Sequence, residues 1–380
     1  MSLSLLSTFL ALSLALLARL GQADYTLSDD YGNSASFFDR FQFFTGQDPT
    51  NGFVEYVDRN TAQDAGLIYA ANGAVHMGVD NSNTAPNGRR SVRVTSTSSY
   101  QHGLFILDLA HMPGSVCGTW PAFWLVGADW PNNGEIDIIE GVNTQIQNDM
   151  TLHTSDGCAI EPWSGFTGSL LTSNCYVDAP GQSAHTGCQI QSTSGLSYGT
   201  PFNANGGGVY ATEWTSNGIS IWFFPRWAIP ADITAGWNPD PSTWGPPAAK
   251  FTGGGCDWDS HFNNLQIVFD ITFCGDWAGG AWGSSCSASA STCQDFVANN
   301  PWAFQETYWA INSLKVYQQQ QSWSKRDGDG DGDVDVDVNA GDFGSRNVTG
   351  GAETGTVPGG SPVPGRVSRV HRRYMRGSHA

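Results

Sequence analysis

Residues 134–141 read Gly134-Glu135-Ile136-Asp137-Ile138-Ile139-Glu140-Gly141, three carboxylates in six positions interleaved with isoleucines. Side chains of a β-strand alternate between its two faces. Glu135 and Asp137 therefore share one face, and Ile136 and Ile138 fill the other. Glu140 breaks the alternation: five residues from Glu135, a regular strand would aim it into the core and turn Ile139 outward. A buried, unpaired carboxylate costs several kcal/mol. The segment is therefore predicted to carry a β-bulge near Ile138-Ile139, whose extra residue returns Glu140 to the acidic face. A solvated acidic edge is the bland alternative. The flanking Trp120-Pro121-Ala122-Phe123-Trp124 and Trp130 argue against it, because carboxylates crowded together among aromatic rings are perturbed, and perturbed groups cluster at functional sites.

Outward from this strand the texture is uniform. Ser91-Val-Arg-Val-Thr95 alternates, and Leu104-Phe-Ile-Leu107, Ile219–Phe224 and Leu265–Ile271 read as strands. The 46 glycines and 18 prolines supply turns. Helical periodicity is scarce, with one short helix expected around Cys293–Phe304. Many short strands and almost no helix predict an all-β antiparallel sandwich or jelly roll.

Residues 1–23 read as a secretory signal: an apolar run from Leu5 to Ala18, then Gly21-Gln22-Ala23 as a small-residue cleavage site. The apolar run is short for spanning a bilayer. The ordered domain is expected over 24–321. Residues 322–380 are expected to be a disordered low-complexity tail, with aspartate alternating with Gly or Val over Asp327–Asp337 and a basic end at Arg366–Arg376. Asp327, Asp329, Asp331 and Gly332 match the start of a calcium loop, but its twelfth position is Val338, so no calcium is expected there. Asn347-Val348-Thr349 is a glycosylation sequon.

Eight cysteines in a secreted chain point to disulfides. Proximity in sequence favours Cys175–Cys188 and Cys286–Cys293, leaving Cys117, Cys158, Cys256 and Cys274 open. Without a C-x-x-C pair no zinc site is expected; no other metal and no cofactor is expected either. The net charge of −18 argues against nucleic acid or an anionic membrane as partner. Fifteen tryptophans exceed what a core alone needs, as a cleft that stacks rings on pyranose faces would require.

Paired glutamates, aromatic walls and no metal ligands fit cleavage of a glycosidic bond, one carboxylate attacking the anomeric carbon and the other protonating the leaving oxygen. Two glutamates converging from one strand face suit the separation of about 5–5.5 Å used by retaining enzymes. Asp137, between them, can share a proton with Glu135. Glu140, beyond the isoleucines, is the natural acid, kept protonated by its like-charged neighbours.

The run Glu135-x-Asp137-x-x-Glu140 resembles the signature of glycoside hydrolase family 16. Gly118-Thr-Trp-Pro-Ala-Phe-Trp124, Pro131-Asn-Asn-Gly-Glu135, Met150–Asp156, Tyr210–Trp214 and Phe273–Ala278 resemble its laminarinase branch, the secreted fungal endo-1,3(4)-β-glucanases, over about 24–318. The resemblance implies a β-jelly-roll of two curved antiparallel sheets with a concave substrate cleft. It assigns Glu135 as nucleophile, Asp137 as modulator and Glu140 as acid/base, sets His153 near the nucleophile, and makes Trp120, Trp124, Trp130 and Trp277 candidate cleft aromatics. Many members hold a calcium on the convex side, for which no strong acidic cluster is seen here. The implied partner is a laminarin-type or mixed-linkage β-glucan, acted on by a monomer. Two other readings are a non-catalytic β-glucan-binding protein, which would usually lack the two glutamates, and a cell-wall transglycosylase, a branch that typically has the shorter E-x-D-x-E spacing.

Overall fold

The structure is a computed structural model that describes residues 25–162 and 165–319. The signal segment, the tail, its sequon and its aspartate run lie outside the described residues. Two eight-stranded antiparallel sheets dominate, with a small parallel pair formed by Val54–Tyr56 and Arg89–Ser91. One sheet, the site sheet, runs in space Ser169–Thr172, Cys188–Gln191, Asp149–His153, Glu135–Glu140, Thr119–Val126, Leu265–Phe273, Arg93–Tyr100 and Phe41–Phe43. The acidic strand is thus central, flanked by three strands on one side and four on the other. In the second sheet, Tyr308–Gln319 pairs with Gly103–His111 over Ala310 to Tyr317. Its other edge meets Ala74–Gly78 at one end and Tyr25–Asp30 at the other.

The core between the sheets is read directly from the registers. Ile136 lies opposite Leu125 and Leu152, and Ile267 continues that row; Ile139, Phe123 and Phe269 form the next. All of these are buried. Phe269 meets Trp309 of the second sheet edge-on at 5.7 Å. The Trp309 indole N–H donates to the Asp270 carbonyl, so this fully buried ring carries no orphaned donor.

The middle of the second sheet is buried on both faces. Phe105, Leu107 and Leu109 point into the main core, whereas Leu104 and Ile106 join Tyr25, Val209, Ala211, Trp222, Phe224 and Tyr317 in a second core on the far side. Ile229, Ile233 and Trp244 cover that core. This is why Leu104–Leu107 is continuously apolar instead of alternating.

Helices are few and short. The expected one appears as Cys293–Asn299, capped by the Thr292 hydroxyl on Asp295 N–H, followed by a 3₁₀ turn over Pro301–Phe304. Four disulfides form. Cys175–Cys188 is as expected, but Cys286 and Cys293 do not pair with each other. Cys286 bonds Cys117 and Cys293 bonds Cys274, while Cys158 joins Cys256. The reason is the path of the chain. Cys286 closes the helix Trp282–Ser285 and Cys293 opens the next. Each then reaches the root of a different site-sheet strand, Cys117 just before Thr119–Val126 and Cys274 just after Leu265–Phe273. Closeness in sequence is outweighed by this anchoring of the 274–304 excursion to the sheet.

Candidate active site

Register locates the functional side chains. Residues directly opposite on paired strands share a face. On the face turned away from the core, His153, Glu135 and Val126 form one row, Thr151, Asp137 and Trp124 the next, and Asp149, Glu140 and Ala122 the third. The register slips between Asp137 and Glu140 against one neighbour and between Asp137 and Ile139 against the other. The bulge therefore sits at Ile138-Ile139. Ile136, Ile138 and Ile139 are all buried, and all three carboxyls occupy one face.

Asn148 lies behind the bulge, one residue before the strand Asp149–His153 and fully buried. Its Oδ1 accepts from the Glu140 N–H at 2.9 Å and its Nδ2 donates to the Ile138 carbonyl at 2.8 Å. Asn148 is in turn held by Ser197 Oγ, which accepts its N–H. No sequence signal marks Asn148, since a lone asparagine before a strand reads as a turn residue.

Both glutamates accept an indole N–H, and Asp137 lies beside His153. The Trp120 indole N–H donates to Glu140 Oε1 at 2.7 Å, the Trp130 indole N–H donates to Glu135 Oε2, and His153 Nε2 lies 3.2 Å from Asp137 Oδ2. Asp137 is only 1% exposed, while both glutamates are half-buried. Burial pushes Glu135 up to about 8, and the charge of Asp137 adds to this while His153 and the Trp130 N–H oppose it. Burial likewise raises Asp137 to about 8, against the hydrogen bond from Glu135. Burial raises Glu140 well above the ordinary carboxyl range, and Asp137 pushes it further. Burial lowers His153. The row as a whole resists carrying three negative charges, so protons are shared along it.

The four candidate tryptophans lie on or beside the acidic face, and none is among the buried core residues. Trp277 meets Trp120 edge-on at 5.6 Å, and Trp130 is 40% exposed and packs against His185. Trp124 sits opposite Asp137 and donates its indole N–H to Asp270 at 3.3 Å. Asp270 is a further buried carboxyl on this face, raised by burial to about 7. Arg93 stacks over Trp124 at 5.0 Å and approaches Asp270 Oδ2 at 4.0 Å. Asp149, opposite Glu140, accepts from Gln145 and Gln191 side chains. Neither Asp270 nor Asp149 stood out in the sequence, because single aspartates in strands carry no local signature. Among the described residues, Glu135, Asp137 and His153 form the set of three metal-capable side chains whose ligand atoms lie within 4.8 Å of one another. A cation there would occupy the carboxylates of the row itself.

The family model for the XgeA-like catalytic GH16 domain matches residues 41–317. The chain belongs to glycoside hydrolase family 16. An endo-1,3(4)-beta-glucanase of Arthroderma benhamiae is 50% identical over 312 residues, covering 81% of this chain and 68% of that protein. A probable glycosidase of Schizosaccharomyces pombe is 51% identical over 295 residues, covering 77% and 69%. Among solved structures, an elongating GH family 16 beta-1,3-glucosyltransferase is 48% identical with a TM-score of 0.73, covering 77% of this chain and 100% of that one. GH16 laminarinase 16A from Phanerochaete chrysosporium, with 6-O-glucosyl-laminaritriose in both donor and acceptor sites, is 44% identical with a TM-score of 0.74, covering 78% and 100%. The family 16 resemblance and the jelly-roll fold expected from the sequence are both borne out.

Proposed function

We propose that this family 16 glycoside hydrolase is a secreted endo-β-glucanase that cleaves β-1,3 and mixed β-1,3/1,4 glucans with retention of configuration. The observation that carries this reading is the common face of Glu135, Asp137 and Glu140 on a central strand, made possible by the bulge. Glu135 acts as nucleophile and forms a covalent glycosyl-enzyme. Asp137 shares a proton with it, leaving one negative charge on the pair until attack draws that charge to Glu135. Glu140, raised by burial, enters the reaction protonated and gives its proton to the leaving oxygen. As an ion it then activates the water that releases the sugar. Trp120, Trp124, Trp130 and Trp277 stack on the glucan, and His153 supports the row through Asp137. Four disulfides among the described residues suit an extracellular enzyme. Residues 1–23 would then be the secretory leader, 24–321 the catalytic domain and 322–380 an appendage outside it.

The relevant experiment incubates the protein with laminarin, lichenan and barley mixed-linkage glucan. The anomer first released is followed by NMR before mutarotation. An initial β-product supports retention, and an α-product overturns it.

Transglycosylation is a second reading. The E-x-D-x-x-E spacing disfavours the cell-wall transglycosylase branch, but 48% identity to a beta-1,3-glucosyltransferase weighs the other way. Added laminari-oligosaccharide acceptor separates the two: elongated products mark transfer, and unchanged hydrolysis products mark a hydrolase.

A further inference from the structure

We propose that Asn148 is a positioning residue for the acid/base, a proposal that rests on the assignment of Glu140 above. A bulge inserts a residue that the neighbouring strand cannot match, so backbone groups beside it lose their ladder partners. Here those groups are the Ile138 carbonyl and the Glu140 N–H. The Asn148 side chain satisfies both, one with its donor and one with its acceptor. An amide is the side chain that offers both functions at one planar end. It works from the core side, fully buried, while its neighbour Asp149 faces the cleft opposite Glu140.

The two bonds fix the backbone on both sides of Ile139. They therefore set the direction in which the Glu140 side chain leaves the strand. The clamp does not touch Glu135 or Asp137, which lie before the bulge in regular register with Asp149–His153. Nor does it supply the Glu140 carboxyl contact, which comes from Trp120 on the opposite neighbour strand. Asn148 thus acts on one of the two glutamates only. Loss of the clamp is expected to misplace the proton donor and leave the nucleophile competent.

That selectivity is measurable, because proton donation matters for a sugar leaving group and little for an activated aryl one. Asn148→Ala is compared with wild type on laminarin and on a dinitrophenyl β-laminaribioside, with Glu140→Ala run in parallel. The expected result is a loss of roughly 10²-fold in kcat/KM on laminarin, the scale of a small misplacement of a reacting group. In kcat/KM, which reports the glycosylation step alone, the loss on the aryl substrate should be under about 3-fold, far below the 10²–10⁴ that proton transfer contributes, while its kcat falls further because the same carboxylate activates the water of the second step. Azide should accelerate aryl turnover of Glu140→Ala, whose missing carboxylate leaves room for the anion. Equal losses on the two substrates, or no loss, in a folded Asn148→Ala protein would overturn the proposal. Should the alanine variant not fold, Asn148→Leu serves. It is close in size and offers neither the donor to the Ile138 carbonyl nor the acceptor for the Glu140 N–H. The same substrate-selective loss is expected of it, and an equal loss on both substrates overturns the proposal. If Glu140→Ala itself loses both substrates equally, the assignment of Glu140 falls and this proposal with it. If Glu140→Ala is selective and the Asn148 variants are not, only the role of Asn148 falls.

Discussion

The indole N–H of Trp120 donates to Glu140 Oε1 at 2.7 Å, across from a strand that the bulge has re-aimed. A donor to a carboxylate stabilises the ionised form. Trp120→Phe removes it, so the carboxyl of Glu140 should hold its proton to higher pH. The alkaline limb of the kcat/KM profile is expected to move upward, with kcat falling by no more than ~10-fold because the proton donor itself remains. An alkaline limb that stays in place, or moves down, would contradict the assignment of Glu140 as acid.

Glu135→Ser should abolish glucan hydrolysis while the protein stays folded. Removing a nucleophile removes the covalent route, and losses of 10⁴-fold or more are typical of such groups. Near wild-type turnover in the purified variant, measured by reducing-sugar release, would exclude Glu135.

Stability should report the same carboxylate. Its folded pKa of about 8 lies above the ordinary glutamate value near 4.3. A group raised in this way favours the folded state below its unfolded pKa and loses that contribution as pH rises through the folded one. Glu135→Gln cannot ionise, so it escapes the loss. The melting temperature of the variant relative to wild type should therefore climb between pH 4 and pH 8, by at least ~2–4 °C, the shift that about 1 kcal/mol produces in a domain of this size. A difference that is flat across that range would show that Glu135 is not desolvated.

Trp130→Ala and Trp277→Ala should raise KM for laminarin more than they lower kcat, since stacking holds ground state and transition state alike. Steady-state kinetics on laminari-oligosaccharides checks this. An unchanged KM in both variants would remove them from the cleft.

Reduction should reach the cleft before the sheets. All eight half-cystines lie off the strands of the second sheet, and two bridges tie the 274–304 excursion carrying Trp277 to the roots of site-sheet strands. Bridges closing long loops contribute roughly 2–4 kcal/mol each. Mild thiol treatment is expected to raise KM while far-UV circular dichroism stays native. Simultaneous loss of both signals would show a single cooperative unit.

Much of this was legible in the sequence because it was local. The bulge followed from the spacing of Glu135, Asp137 and Glu140 against three isoleucines. The strand pattern followed from Leu265–Ile271 and in part from Ser91–Thr95, where Ser91 ends one strand and Arg93 opens the next, and Cys175–Cys188 followed from closeness alone. What escaped was set by long-range pairing. The partners of Cys286 and Cys293 depend on where the 274–304 excursion is anchored. The clamp of Asn148 exists only once Asp149–His153 lies beside Glu135–Glu140. Asp270 gains its place from a strand more than a hundred residues distant in the chain. An apolar run such as Leu104–Leu107 could be read as a strand, but nothing local said that a second apolar layer would lie behind it.

That second layer has an evolutionary corollary. With Ile229, Ile233 and Trp244 packed on Leu104, Ile106, Trp222 and Phe224, the sheet behind the main core is sealed front and back over this region. Successive residues there pack alternately against one layer and the other, so few positions are free of a packing demand. The site sheet owes packing to one side only. Substitutions that leave both cores intact are therefore expected to be tolerated mainly on the outer face of the site sheet and its rim loops, and the sheet behind them works as a fixed anvil.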